Sequence, residues 1–309
     1  MIAFLFPGQG SQAVGMAKAL VDRFAEARAV FDEADAVLGF SLSDLVFNGP
    51  AEQLMLTENT QPALLTASVA TQRVLACKGC TPGLVAGHSL GEYSAHVATG
   101  TFTFADAVTL VRHRGQYMQE AVPLGSGSMA AILGLDIERV TQACAEAAEG
   151  DVVSPANFNG PGQIVIAGAT AAVRRAMERA KTLGARRAIA LSVSAPFHCA
   201  LMKPAEERLA PELRAIPATN PQLPVIANVD AEPKTEAGAA IDALIRQVSA
   251  PVRWEQVIER MVTDGATQFV EVGPGTVLSG LGKKIAPSAT FIAVSVPDDL
   301  AAVEAMFAR

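Results

Sequence analysis

Hydrophobic positions along this chain follow two rhythms: short solid apolar runs, and longer stretches in which apolar residues recur every three to four positions. Strands separated by amphipathic helices produce that alternation. The runs Ile2–Phe6, Leu84–Gly87, 224–227, Gln268–Val272 and Thr290–Val294 predict short strands buried on both faces, as in a parallel sheet. Between them, Leu20, Phe24, Phe31, Ala34 and Leu38 fall on one helical repeat. Residues 66–76 are apolar on most faces, which predicts a buried helix over 63–77 opened by Pro62. Residues 41–61 read as a polar loop. Thr103 and Asp106 form a capping-box-like start for a helix running to about residue 121. Further helices are expected over 200–213, 241–247 and 252–262, and one after Gly275.

The middle of the chain changes rhythm. Strand patterns over 128–134, 152–157, 163–168 and 187–193 enclose helical patterns over 136–148 and 171–183. The resulting βαββαβ order is that of a ferredoxin-like unit. Gly125-Ser126-Gly127 and Ser194-Ala195-Pro196 are plausible hinges at its ends. The expected architecture is α/β: a large domain with a parallel sheet from residues 1–124 and 195–309, and an inserted small domain from 125–194.

Composition narrows the function classes. The chain has 309 residues, half of them apolar, enough for a large core. A net charge of −7 without a basic run argues against nucleic acid as a partner. No apolar run is long enough to span a bilayer, and the N-terminal segment lacks a basic n-region and breaks at Pro7, so a cytoplasmic protein is expected. Of the four cysteines, Cys77 and Cys80 have redox-motif spacing but fall at a helix end, where punctuation is the plainer reading. Cys144 and Cys199 read as core, as does Trp254. No Cys/His cluster has metal-ligand spacing.

The chemistry centres on Gly87-His88-Ser89-Leu90-Gly91. A Gly-x-Ser-x-Gly turn between a strand and a helix suits a nucleophile elbow, which lifts a serine hydroxyl clear of the backbone. The helix that follows aims its free N–H groups at whatever sits beside Ser89. Four histidines compete as its base. His88 is adjacent and points away, His96 is about two helical turns on, and His113 lies mid-helix beside Arg112 and Arg114. His198 sits in a breaker-rich loop rejoining the large domain, a common place for a catalytic group, and is the leading candidate. No acid stands out between Ser89 and His198, which points to a dyad with a neutral orienting group rather than a hydrolase triad. A second glycine pattern, Gly8-x-Gly10-x-x-Ala13, matches a dinucleotide fingerprint after the first strand. Its expected acidic partners, Asp32 and Glu33, lie on a helical repeat instead, so nucleotide binding stays a minor alternative.

Together the residues resemble the malonyl-coenzyme A:acyl carrier protein transacylases and the related acyltransferase domains of polyketide and fatty acid synthases. The resemblance rests on six motifs in order: Phe6 to Gln12, Gly87 to Glu92, Val111 to Gly115, Asn157 to Asn159, Phe197 to Cys199, and Val270 to Gly275. It implies Ser89 as the acylated nucleophile and His198 as its base. It implies an oxyanion hole near Gln9 and the Leu90 N–H, and Gln247 as the group orienting His198. Arg114 becomes the anchor for the free carboxylate of malonate. A hydrogen bond to a charged group contributes about 1.5–3 kcal/mol, so a ten- to hundredfold malonyl preference is within reach of that residue alone. Phe197 resembles the malonyl-selecting pattern.

The expected activity is a ping-pong transfer of malonyl from coenzyme A to the phosphopantetheine thiol of acyl carrier protein, feeding fatty acid synthesis. Coenzyme A enters as a substrate thioester, with no bound cofactor and no metal. Lys181, Arg186, Arg187, Lys283 and Lys284 are positional candidates for meeting an acidic carrier. The rivals are a serine esterase or thioesterase, in which water replaces the carrier thiol, and a non-enzymatic nucleotide-binding protein.

Overall fold

The structure is a computed structural model that describes residues 1–123 and 125–308. The expected domain boundary at 124 and the terminal residue 309 lie outside the described residues. Among the described residues, ten strands form two sheets. Strands β1 (Ile2–Phe6), β2 (Leu84–Gly87), β7 (Val225–Ile226), β8 (Pro233–Lys234), β9 (Gln268–Val272) and β10 (Thr290–Val294) make a six-stranded sheet in the order β10-β9-β1-β2-β7-β8. The first five run parallel; β8 closes the edge antiparallel to β7. The period-2 geometry of a strand sorts side chains to two faces. Phe4, Phe6 and Val85 enter one core with the buried helices on that side. Ala3, Leu5, Leu84 and Ala86 enter another with Trp254, Ile258, Met261 and Leu281. Both faces are therefore covered, which is why these strands read as solid apolar runs rather than alternating ones.

Strands β3 (Gly127–Leu133), β4 (Val153–Gly160), β5 (Gln163–Ala169) and β6 (Arg187–Ala190) make a separate antiparallel sheet in the order β4-β5-β3-β6. The helices Ile137–Ala147 and Thr170–Thr182 pack on it around Ile132, Val140, Ile166 and Val173. Cys144 is buried in this core. The two connecting segments touch, since a Cβ on Gly127 would lie 2.4 Å from Pro196 Cγ. The sheet is further tied to the larger one by the Phe158 N–H to Val252 carbonyl and Val252 N–H to Ala156 carbonyl bonds, both 2.9 Å.

Several local expectations are corrected. Residues 41–61 are not a loop: they hold the helices Leu42–Asn48 and Ala51–Leu54. These are too short to display a period, but Ser41 caps the first by accepting the Asp44 N–H. The long buried helix starts at Thr57 rather than at Pro62, and spans Thr57–Cys77. A proline inside a helix leaves the carbonyl four residues back without its N–H partner. Here that carbonyl belongs to Glu58, and it accepts instead from Arg112 Nη1 at 3.0 Å. The repeat from Leu20 to Leu38 is two helices, Lys18–Arg23 and Ala25–Leu38, broken at the extended Phe24. Strand β6 stops at Ala190, three residues early, and a C-terminal helix Leu300–Phe307 follows the strand expected to be last. Cys77 does end its helix, and all four thiols are free. No helix opens from the Gly8 loop, as a dinucleotide fingerprint requires; the first helix begins at Lys18. Among the described residues, no helix is long and apolar enough to cross a membrane.

Replacing Arg112 by Met should orphan the Glu58 carbonyl and cost about 1 kcal/mol, the low end for an unsatisfied group because the site is partly exposed. Urea denaturation measures this; an unchanged midpoint would show that water replaces the guanidinium at no cost.

Candidate active site

Ser89 lies at the C-terminal end of β2, between that strand and the helix Gly91–Ala98. Its φ is +51°, the left-handed region that a non-glycine residue enters only under constraint. The constraint is packing. A Cβ on Gly87 would lie 1.9 Å from the Gly91 carbonyl carbon, and one on Gly91 would lie 2.0 Å from the Phe6 carbonyl oxygen. Only glycine at both positions lets the strand turn into the helix directly beneath β1.

His198 Nε2 lies 2.7 Å from Ser89 Oγ. The His198 Nδ1 lies 2.9 Å from the Gln247 main-chain carbonyl, an acceptor, so Nδ1 carries the proton and Nε2 is free to take one. Gln247 thus orients the histidine with its backbone, not its amide. His198 also has a left-handed φ of +59°. Burial, with the Arg114 charge adding to it, pulls its pKa down to about 3. Of the other histidines, His88 Nε2 lies 2.9 Å from Asn159 Oδ1, and buried His96 lies 3.1 Å from Thr101 Oγ1. His113 pairs with Glu212 at 2.7 Å.

Arg114 was expected on the same helix as Arg112, with a solvated face as its plain reading; it is buried, 2% exposed. Gly115 makes this possible, because a Cβ there would lie 2.7 Å from the Glu58 Cα, so the two helix backbones nearly touch. The guanidinium donates to Gln61 Oε1 at 2.7 Å, to Gln247 Oε1 at 3.0 Å and to Ser89 Oγ at 3.3 Å. None of these partners is a carboxylate. The Gln247 amide faces the arginine with its oxygen because its nitrogen is engaged by the Ser89 carbonyl at 3.0 Å and by Glu92 Oε2 at 2.8 Å. Glu92 is fully buried beneath the site, and desolvation lifts its pKa to about 7.

Ser89, His198 and Arg114 open into a cavity of about 600 Å³, also lined by Gln9, Leu90 and Phe197. Among the described residues, the main-chain N–H groups of Gln9 and Leu90 have no acceptor within the protein. The Gln9 side chain turns away to Thr57, 2.9 Å distant. Met118, Met129, Val165, Leu191 and Val193 give the cavity an apolar wall. The early end of β6 leaves Leu191 and Val193 free for this. Trp254 is buried in the core behind His88, and Cys199 is buried with its thiol donating to the Pro196 carbonyl. Asn228, Gln61 and Glu92 complete the hydrogen bonding, and none was singled out as a site residue from the sequence. Their types carry no signal for it; only the fold brings them under the elbow. Among the described residues, no group of three or more His, Cys, Asp or Glu side chains is placed to hold a metal.

A serine within hydrogen-bond reach of a histidine, beside a buried cation and free N–H groups, is an arrangement suited to acyl chemistry. Comparison with known proteins agrees: residues 3–296 match the acyl transferase domain family. The chain is 53% identical to the malonyl CoA-acyl carrier protein transacylase of Escherichia coli strain K12, over 97% of each chain. It superposes on the acyl carrier protein S-malonyltransferase of Vibrio cholerae with a TM-score of 0.96 at 51% identity, over 98% of this chain and 99% of that one. A malonyl-transacylase solved with its type II polyketide synthase acyl carrier protein gives a TM-score of 0.97 at 49% identity, over 99% of both chains. The chain is an acyltransferase. It belongs to the acyl transferase family, among the malonyl CoA-acyl carrier protein transacylases.

The depressed His198 pKa has a measurable consequence. A histidine base works while neutral, so acylation of Ser89 by p-nitrophenyl acetate should hold its rate down to about pH 5, well below the ordinary histidine midpoint near 6.5. Removing the neighbouring charge in Arg114→Ala should move that acid limb upward. A wild-type limb near the ordinary value would contradict the buried, cation-adjacent histidine.

Proposed function

We propose that the protein transfers malonyl from malonyl-coenzyme A to the phosphopantetheine thiol of acyl carrier protein by a ping-pong Ser–His mechanism, supplying extender units for fatty acid synthesis. The observation that carries the reading is the convergence on one oxygen: Ser89 Oγ lies 2.7 Å from His198 Nε2 and 3.3 Å from the Arg114 guanidinium.

In the first half-reaction Ser89 Oγ attacks the thioester carbonyl while His198 Nε2 takes its proton. The carbonyl oxygen gains the negative charge and is met by the Gln9 and Leu90 N–H groups; losing one such donor typically costs about 10²–10³ in rate. The tetrahedral intermediate collapses, the C–S bond breaks, and coenzyme A leaves with the proton from His198. In the second half-reaction the carrier thiol gives its proton to His198 and attacks the ester carbonyl. The bond between the acyl carbon and Ser89 Oγ breaks, and Oγ recovers the proton from His198. Coenzyme A is a substrate here, and no bound cofactor takes part.

Arg114 binds the free carboxylate of malonate in a bidentate pair. Its protein partners are neutral, so the substrate supplies its anion, and that anion offsets the charge that depresses His198. A neutral carbonyl behind His198 serves the same end, because an Asp in its place would repel the malonate carboxylate. The absence, among the described residues, of a triad acid behind His198, together with the buried arginine beside the serine, weighs against the esterase reading. Phe197 forms part of the wall that limits the acyl group. The large sheet with its elbow is proposed as a hydrolase-like domain (1–124 and 195–309), and residues 125–194 as a ferredoxin-like domain, on the strength of the β4-β5-β3-β6 order and its two helices. A cytoplasmic setting is the one in which both thioesters are at hand.

Intact-mass measurement after mixing with malonyl-coenzyme A should show one malonyl adduct, absent from Ser89→Ala. An adduct that survives that change would sink the mechanism. Arg114→Ala should lose roughly ten- to a hundredfold in malonyl transfer while keeping or gaining acetyl transfer, in line with a charged hydrogen bond worth about 1.5–3 kcal/mol. An unchanged malonyl-to-acetyl ratio would place the carboxylate anchor elsewhere.

A further inference from the structure

Asn228 follows β7 and belongs to none of the motifs that mark the site, yet it grips the elbow on both sides of its turn. It is fully buried. Its Oδ1 accepts the Ser89 N–H at 2.6 Å, and its Nδ2 donates to the Gly87 carbonyl at 2.7 Å. Its own N–H donates to Glu92 Oε2 at 2.9 Å, the oxygen that also holds the Gln247 amide. The amide has one possible orientation, because a flip would set its NH2 against the Ser89 N–H and its oxygen against the Gly87 carbonyl. The residue it holds is the strained one, Ser89 at φ +51°.

We infer that Asn228 is a positioning residue for acylation: its amide holds Ser89 in the left-handed conformation that aims Oγ at His198 Nε2. The same bond keeps the Ser89 N–H turned into the protein, which leaves the N–H groups of Gln9 and Leu90 as the donors on the cavity side. A purely structural asparagine would tie β7 to the sheet and affect how much protein folds. A positioning asparagine affects how fast each folded Ser89 reacts. Its effect runs through Ser89 and not through Arg114, so it falls equally on malonyl and acetyl donors.

The inference rests on the acyl transfer proposed above, and wild-type protein separates the two: absence of a malonyl adduct on Ser89 in wild type would refute that function rather than the role of Asn228. The test is single-turnover acylation of Asn228→Ala and Asn228→Asp by malonyl-coenzyme A and acetyl-coenzyme A, with rates divided by the number of serine sites titrated to completion with a fluorophosphonate. Asn228→Ala should slow acylation by about ten- to a hundredfold, the scale of a small misplacement of a reacting group, and by the same factor for both donors. A wild-type rate per titrated site, with only the melting temperature lowered, would overturn the inference. So would a selective loss of malonyl, which would put the effect on Arg114. If Asn228→Ala does not fold, Asn228→Asp decides. It keeps an acceptor for the Ser89 N–H but sets a lone pair against the Gly87 carbonyl, so slower acylation supports the clamp and a wild-type rate refutes it.

Discussion

The contact between the Gly91 backbone and the Phe6 carbonyl is the constraint on which the site depends. It draws the Gly91–Ala98 helix in beneath the central strand, and a methyl group on Gly91 would meet that carbonyl at 2.0 Å. The closeness forces the chain to turn within Ser89, at a conformation costing on the order of 1–3 kcal/mol. The parallel neighbours of β1 and β2 share that cost. The loop after β1 brings Gln9 to one side of the serine, and the segment after β7 brings Asn228 beneath it. Sheet order thus becomes site geometry. Strands adjacent in space, and far apart in sequence, end at one edge, and the ligand edge of an open α/β sheet is that edge.

Charge is arranged around the same point with unusual economy. Arg114 is the buried cation, and its partners are the amide oxygens of Gln61 and Gln247. The nearest acid in the network, Glu92, is one residue further back, linked through the Gln247 amide. Removing a buried charge from water is costly unless it is compensated. The amides compensate Arg114 in part without neutralising it, and among the described residues no carboxylate is in direct contact with it. Gln247 serves both halves of the site at once: its side chain fixes Arg114, and its main-chain carbonyl fixes the His198 tautomer.

Much of this was legible in the chain, and the reasons for success and failure are physical. The parallel strands were visible because burial on both faces demands unbroken apolar runs. The elbow was visible because its sterics admit only glycine at 87 and 91. His198 emerged by elimination among few histidines. The helix start at Thr57 was hidden, because the local signal of Pro62 is overridden by the bond from Arg112 to the Glu58 carbonyl, 54 positions apart in sequence. The short helices between residues 41 and 54 are below the length at which a period can be read. Arg114 looked like one of a solvated pair; what separates it from Arg112 is the approach of two helix backbones at Gly115, which no linear pattern records. Asn228 and Glu92 were silent because buried polar residues acquire meaning only from their partners.

The depressed basicity of His198 and the buried Arg114 guanidinium are linked, because the arginine charge adds to the burial that holds the imidazole neutral. Without a substrate carboxylate, the arginine charge and the dry surroundings keep the imidazole from holding a proton, so Ser89 is a weak nucleophile. Under the proposed function, a malonate carboxylate on Arg114 would offset the arginine's share of that effect, which is smaller than the share of burial. On the same proposal, a donor without a carboxylate, such as acetyl, would leave the arginine charge in place. Selectivity would then arise in the transition state as well as in binding, since positive charge develops on the imidazole as it takes the serine proton. On the apolar side of the cavity, the wall of Met118, Val165 and Leu191 offers water little to bind. A thiol, more acidic and less strongly hydrated than water, is the nucleophile that suits a cavity with such a wall.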